Sequence, residues 1–195
     1  MSSGPEESGE RRARVAGFDA PARRVLAAMR GIRRPLVLVD GPSGSGKSTF
    51  ADVLTRAWPG RAPALVRLDD VYPGWNGLDA ARHDLSRTLV APWRRGAPAR
   101  YGRWDWVADA RGATGSVAPA TGLLVEGCGA FGVADTGHSA VRIWIEARED
   151  VRRPRALTRD AGAFDPFWEL WDGQWRAYLR RCDPKRHATI RVRSN

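Results

Sequence analysis

The chain has 195 residues, 43% of them hydrophobic, with two cysteines and a formal net charge of +10. That length and apolar content suit one well-buried domain and are short for two. Two cysteines, Cys128 and Cys182, are too few for a disulfide framework and lack metal-ligand spacing, and no apolar run approaches the roughly 18 residues of a membrane span, so a reduced, cytoplasmic setting is expected.

The positive charge alone would admit a nucleic-acid partner. The arginines, however, are spread along the whole chain and not gathered in one arm, which fits a compositional bias better than a docking surface. The expected partner is therefore a small molecule, with neither nucleic acid nor membrane involved. Lys47 and Lys185 are the only lysines, and the other 30 basic residues are arginine.

The opening "MSSGPEESGERRAR" is polar and charged without an apolar core, so residues 1–16 read as a disordered lead-in and 17–195 as a single domain. Val25, Leu26 and Met29 recur at helical spacing after Phe18, with Asp19 placed as N-cap and Pro21 in the first turn. A buried strand is expected over 35–40, from Leu36, Val37, Leu38 and Val39. Further strands are expected over 63–70, 122–127, 140–147 and 187–192. Helices are expected over 47–58, about 78–95, 148–160 and 167–181. Strands alternating with helices imply an α/β fold with a five-stranded, mostly parallel sheet covered by helices on both faces. In such sheets ligands bind beyond the carboxyl ends of the strands.

Directly after the first strand stands "GPSGSGKSTF". Gly41, Gly46, Lys47 and Ser48 match G-x-x-x-x-G-K-S, the loop that cradles a nucleoside triphosphate between a strand and a helix. Gly41, Gly44 and Gly46 let the backbone curl so that N–H groups around Ser43, Ser45 and Thr49 can turn toward an anion. Lys47 supplies a mobile charge to the β- and γ-phosphates, the following helix adds its dipole, and the Ser48 hydroxyl is placed to ligate Mg²⁺. ATP and Mg²⁺ are the cofactors this motif predicts.

Two strand ends carry acids. "LDDVYPGW" places Asp69 and Asp70 after the second strand, followed by Tyr72 and Trp75, and a carboxylate there could accept a proton from an attacking hydroxyl or help hold Mg²⁺. Glu126 in "LLVEGCGA" ends the third strand, where burial would be costly unless the carboxylate were paired or metal-linked. Successive strand residues point to opposite faces, so at most one of Asp69 and Asp70 is expected to face the phosphates.

Taken together, these segments resemble the uridine kinase family and its relatives phosphoribulokinase and bacterial pantothenate kinase. The resemblance is carried by "GPSGSGKST", by Asp69 to Tyr72 in "DDVY", by Glu126-Gly127 and by the Arg-rich "RRPRALTRD", and it spans about residues 35–193. It implies a three-layer P-loop NTPase fold with a lid around 148–162. It also implies Asp69 as the carboxylate that activates the acceptor hydroxyl or meets the metal, Ser48 and Glu126 near Mg²⁺, and Arg155 and Arg159 closing over the phosphates. "RYGRWDWVADAR" is similar to that family's acceptor segment: Trp104 stands for a tyrosine, Asp105 and Arg111 are kept, and Asp109 replaces a histidine. The resemblance puts Trp104, Asp105 and Arg111 beside the acceptor, and the rings of Tyr72, Trp75, Trp104 and Trp106 could stack on a flat substrate. Pro154 is expected to interrupt the start of the lid helix. The three histidines, His83, His138 and His187, lack metal spacing, and the tryptophans of 168–175 read as a core-facing helix stripe.

The activity these residues imply is transfer of the γ-phosphate of ATP to a hydroxyl of a small metabolite, a nucleoside first. A kinase of pantothenate or a sugar phosphate, and a regulatory ATP-binding module without an acceptor, are the alternatives.

Overall fold

The computed structural model describes residues 5–135, 139–159 and 162–194. In chain order the elements are α1 (Pro5–Ala28), β1 (Leu36–Asp40), α2 (Lys47–Ala57), β2 (Ala64–Arg67), α3 (Leu78–Leu85), α4 (Ala91–Arg94), β3 (Ala99–Asp105), β4 (Ala110–Val117), β5 (Leu123–Glu126), β6 (Val141–Glu146), α5 (Glu149–Arg159), α6 (Trp168–Cys182) and β7 (Ile190–Arg193). Five strands make one sheet in the order β2-β5-β1-β6-β7, and every pairing in it is parallel.

The central strand shows why the sheet is covered on both sides. Leu36 and Leu38 belong to the apolar cluster on one face, and Val37 and Val39 to the cluster on the other. Period-two alternation that is apolar in both phases can be satisfied only between two helical layers. Helices α1 and α2 cover one face, through Phe18, Val25, Phe50 and Leu54. The other face lies under α3, α4 and α6, through Leu85, Trp93, Trp171 and Trp175. Each fully buried aliphatic side chain of this kind contributes roughly 1.5–3 kcal/mol. The Trp168–Trp175 stripe of α6 is thus core packing, as its spacing predicted.

Several local expectations are corrected. Helix α1 begins at Pro5, so residues 5–16 are helical backbone and not a structureless lead-in, and Asp19 and Pro21 fall inside the helix where neither caps it. Strand β2 is shorter than 63–70, because Leu68–Asp70 wind into a 3₁₀ turn in which the N–H groups of Val71 and Tyr72 both donate to the Leu68 carbonyl. The helix expected over 78–95 carries a π-helical turn at Ser86–Val90 between α3 and α4. Helix α5 runs continuously through Pro154. Proline there forfeits one intrahelical bond without ending the helix.

The antiparallel pair β3–β4 was not foreseen. Its strands are mostly exposed, with burial only at Ala99, Tyr101, Gly115 and Val117, so no apolar alternation announces them. His83 and His187 are exposed, and His138 lies outside the described residues.

Candidate functional site

Parallel register sets the site. Val39 of β1 and Arg67 of β2 both sit opposite Glu126 of β5, so three strand ends stand in one row. The phosphate-type loop leaves β1 immediately beyond that row, and the Asp69 turn leaves β2 beside it.

Within the loop, Gly44 and Gly46 have φ of 75° and 92°. Both values lie in the left-handed region that favours glycine. A Cβ on Gly44 would collide with the carbonyl of Arg152, and one on Gly41 with the carbonyl of Ile145. The loop is therefore pressed between the end of β6 and the start of α5. Gly46 caps α2, whose first residue is Lys47. Lys47 is buried, and its Nζ donates to the Pro42 carbonyl at 2.9 Å and lies 3.6 Å from Cys128 Sγ. Among the described residues no carboxylate lies in ion-pair contact with this ammonium, which is the setting in which an incoming phosphate would take it over. Ser43 Oγ also meets Cys128 Sγ, at 3.5 Å, and the Ser45 carbonyl accepts from Ser194 Oγ at 2.8 Å. Thr49 follows Ser48 in the first turn of α2.

Glu126 is buried, and its surroundings explain how an acid survives there. Burial first, and then the charge of Asp69, push its carboxyl up to about 7, while Lys47, a hydrogen bond from the Ser48 hydroxyl and Arg67 pull it down. Arg67 reaches Glu126 at 3.5 Å and is itself held by Asp52 at 2.6 Å. Lys47, Ser48 and Asp69 thus all act on Glu126 at the strand ends. Among the described residues no group of three or more His, Cys, Asp or Glu gathers to hold a metal alone. The donors present, a serine hydroxyl and flanking carboxylates, are hard oxygen ligands suited to Mg²⁺ that keeps several ligands from a phosphate and water.

Asp69 and Asp70 diverge, although they lie in the 3₁₀ turn and not in the strand whose alternation was expected to separate them. Asp69 is half-exposed, forms an ion pair with Arg159 at 3.3 Å and adds its charge to the environments of Glu126, Tyr72 and Cys128. Asp70 is exposed and adds its charge to that of Arg103. Arg155 sits half-buried on α5, between Arg152 and Arg159. Arg152 and Arg153 lie over the ring of Trp168, so α5 is joined to the start of α6.

The aromatic residues divide. Tyr72 is a core residue: it is 2% exposed, its hydroxyl donates to the Cys128 carbonyl at 2.8 Å, and its ring meets Trp171 edge-on. Trp75 stacks on Phe164 and Phe167, with ring centroids 5.1 and 4.8 Å away, and tilts against Trp106. Those contacts leave little of the Trp75 face for a flat ligand, and Tyr72 offers it none. Trp106, at the hairpin tip, is 38% exposed, and its indole N–H donates to the Asp69 carbonyl at 2.8 Å. Trp104 is half-buried opposite the exposed Arg111. Asp105 is exposed and spends one oxygen on the backbone N–H groups of Val107 and Ala108, closing the hairpin turn. Asp109 completes that turn at φ 48°.

Three residues that sequence reasoning passed over are central. Arg67 fixes Glu126, Cys128 lies against Lys47, and Asp40 anchors the loop. Asp40 was visible by the same sign that marked Glu126, an acid ending an apolar strand.

No protein-family model matches the chain, and no curated protein matches it in sequence. Solved structures do. A possible uridine kinase from Bacillus stearothermophilus superposes with a TM-score of 0.60 at 17% identity, over 93% of this chain and 98% of that one. A candidate fructose transport system kinase from Silicibacter sp. TM1040 gives 0.54 at 21% identity, over 89% and 98%. The chain shares the α/β fold of these two proteins. At these identities the similarity establishes the architecture, and chemistry has to be argued from the residues. Among the described residues no helix is long and apolar enough to cross a membrane.

Proposed function

We propose that the chain is a kinase that moves the γ-phosphate of ATP, with Mg²⁺, to a hydroxyl of a small metabolite, a nucleoside in the first instance. The observation that carries this reading is the convergence of Lys47, Ser48, Glu126 and Asp69 at neighbouring strand ends, with Arg159 reaching in from α5. A loop that only bound nucleotide would not need a half-exposed carboxylate beyond the phosphate end. A phosphoryl transferase does, because the acceptor hydroxyl must be oriented and its proton received.

In this reading the loop amides and Lys47 hold the phosphates, and Arg155 and Arg159 approach them from the lid. Ser48 would hold Mg²⁺, with Glu126 close behind and Asp69 at the edge, and the ion would neutralise charge on the transferring group. Asp69 orients the acceptor hydroxyl, and Trp106 walls the same side. Both cysteines are free thiols, which suits a reducing cytoplasm. The partner in this reading is the small-molecule acceptor.

A second acceptor class is favoured by the hairpin. Asp105 is occupied with its own turn and Asp109 brings an anion where the family has an imidazole, so the base-reading contacts of a pyrimidine kinase are altered. That favours a vitamin such as pantothenate or a sugar phosphate as the alternative. A coupled ADP-release assay across nucleosides, vitamins and phosphosugars tests the reading. ADP formation that rises with one acceptor class identifies it, and formation indifferent to every acceptor replaces the kinase with a regulatory ATPase module.

A further inference from the structure

Asp40 is the last residue of β1 and is completely buried between the two apolar layers. Its neighbour Val39 shows what an ordinary strand end needs there, an aliphatic side chain. A carboxylate in such a place is costly unless every lone pair is satisfied. Here it is. Oδ1 accepts the backbone N–H groups of Gly41 at 2.7 Å and Gly129 at 2.9 Å, and Oδ2 accepts the Phe131 N–H at 2.9 Å and the Tyr178 hydroxyl at 2.7 Å. All four partners donate, so they fit an ionised, acceptor-only carboxylate, and bonds to a charged acceptor are about twice as strong as neutral ones.

The donors come from three different pieces of the site. Gly41 opens the phosphate loop. Gly129 and Phe131 belong to the turn that follows Glu126 and contains Cys128, against which Lys47 rests. Gly129 has φ of 86°, so the turn is built on a glycine in the left-handed region. Tyr178 lies on α6, the helix that follows α5 and whose Trp168 packs under Arg152 and Arg153. One buried side chain therefore touches the loop that would hold phosphate, the turn behind the P-loop lysine, and the helix that supports the lid.

We propose that Asp40 is a positioning residue that fixes the phosphate loop and the Gly127–Phe131 turn in one register and, through Tyr178, links phosphate occupancy to α6 and the lid helix α5. The proposal rests on the reading of residues 41–49 as a phosphate loop. It does not depend on which acceptor is used, and its test needs none.

Asp40→Asn keeps the size but turns an NH₂ toward at least one of the four donors. Tyr178→Phe keeps the ring and removes only the link to α6. Binding of MgATP and of magnesium tripolyphosphate is measured by titration calorimetry well below the melting temperature, with hydrogen exchange of α5 and α6 followed with and without tripolyphosphate. Asp40→Asn is expected to raise both dissociation constants tenfold or more with a native circular-dichroism spectrum. Tyr178→Phe is expected to keep both within about threefold yet lose the ligand-induced protection of α5 and α6 seen in the wild type. A merely structural role would lower the melting temperature of both variants while leaving affinities and protection changes as they are.

A folded Asp40→Asn that binds both ligands within twofold of wild type overturns the positioning role. Should Asp40→Asn not fold, the tyrosine variant decides, and wild-type protection changes in it overturn the link to the lid. Wild-type protein that binds neither ligand fails earlier, at the phosphate-loop reading itself, and takes the proposal with it.

Discussion

Arg159 Nη1 stands 3.3 Å from Asp69 Oδ2, so the last turn of α5 touches the carboxylate that would face an acceptor. Both side chains are about half-exposed, which makes the pair worth little to folding, at most about 1 kcal/mol. Its interest is directional, because it is Asp69 and not Asp70 whose charge reaches Glu126. Asp69→Asn should lower kcat on the order of 10²-fold or more with ATP affinity nearly constant, and Asp70→Asn should change kcat little. Steady-state kinetics with the acceptor found in the ADP-release screen decide the matter. A dead Asp70→Asn beside a normal Asp69→Asn would reverse the assignment.

Lys47 is the second test. Its ammonium rests on the Pro42 carbonyl and beside Cys128, so its removal costs the fold little compared with what it costs an anion. Lys47→Ala should weaken ATP binding or turnover at least tenfold, about 1.4 kcal/mol, with a native circular-dichroism spectrum. Wild-type turnover in that variant would show that the phosphates are held elsewhere.

Much of this site is legible in the sequence for a physical reason. Leu36–Val39 are apolar in both phases, the glycines at 41, 44 and 46 sit where the backbone needs them, and strand ends with acids are rare enough to notice. What the sequence hid was either exposed or distant. The β3–β4 hairpin carries polar residues on both faces, so its pairing leaves no periodic trace, and the place of Trp106 on the Asp69 carbonyl follows only from that pairing. Tyr72 and Trp75 could be placed near the site but not oriented: one turns inward to the Cys128 carbonyl, and the other is covered by Phe164 and Phe167, rings that lie far along the chain. Arg67 and Tyr178 act through partners in other elements, contacts that no local pattern announces.

Glu126 gives a pH dependence with a definite sign. Its carboxyl titrates near 7 in the folded protein against an ordinary value of 4.5, raised chiefly by burial. Between those values this carboxyl binds more protons in the folded state than in the unfolded one, so its contribution to stability falls as pH rises from about 4.5 through 7, by on the order of 3 kcal/mol in full. Urea unfolding in metal-free buffer at pH 5 and pH 8, for wild type and Glu126→Gln, isolates this residue from other titrating groups. The wild type should lose more stability over that interval than the variant. Equal losses would mean that Glu126 is ionised throughout, held by Arg67 and Lys47 more firmly than its burial resists.

The last prediction concerns Trp106, whose indole N–H bond to the Asp69 carbonyl joins the hairpin tip to the turn that carries Asp69. A neutral hydrogen bond at a partly exposed position contributes about 0.5–1.5 kcal/mol. If that bond fixes the direction of Asp69, Trp106→Phe, which keeps an aromatic ring against Trp75 but lacks the donor, should lower kcat about two- to tenfold and leave the acceptor KM within about twofold. Trp106→Ala removes the ring as well, so it should add a rise in acceptor KM to the same loss of kcat, with ATP affinity untouched in both variants. The two substitutions therefore separate orientation of the carboxylate from contact with the acceptor. Val107, fully exposed at the same tip, is the control, and Val107→Ala should alter neither constant. Identical kinetics in wild type, Trp106→Phe and Trp106→Ala would detach the hairpin from the reaction and leave Asp69 to be oriented by its own 3₁₀ turn and by Arg159.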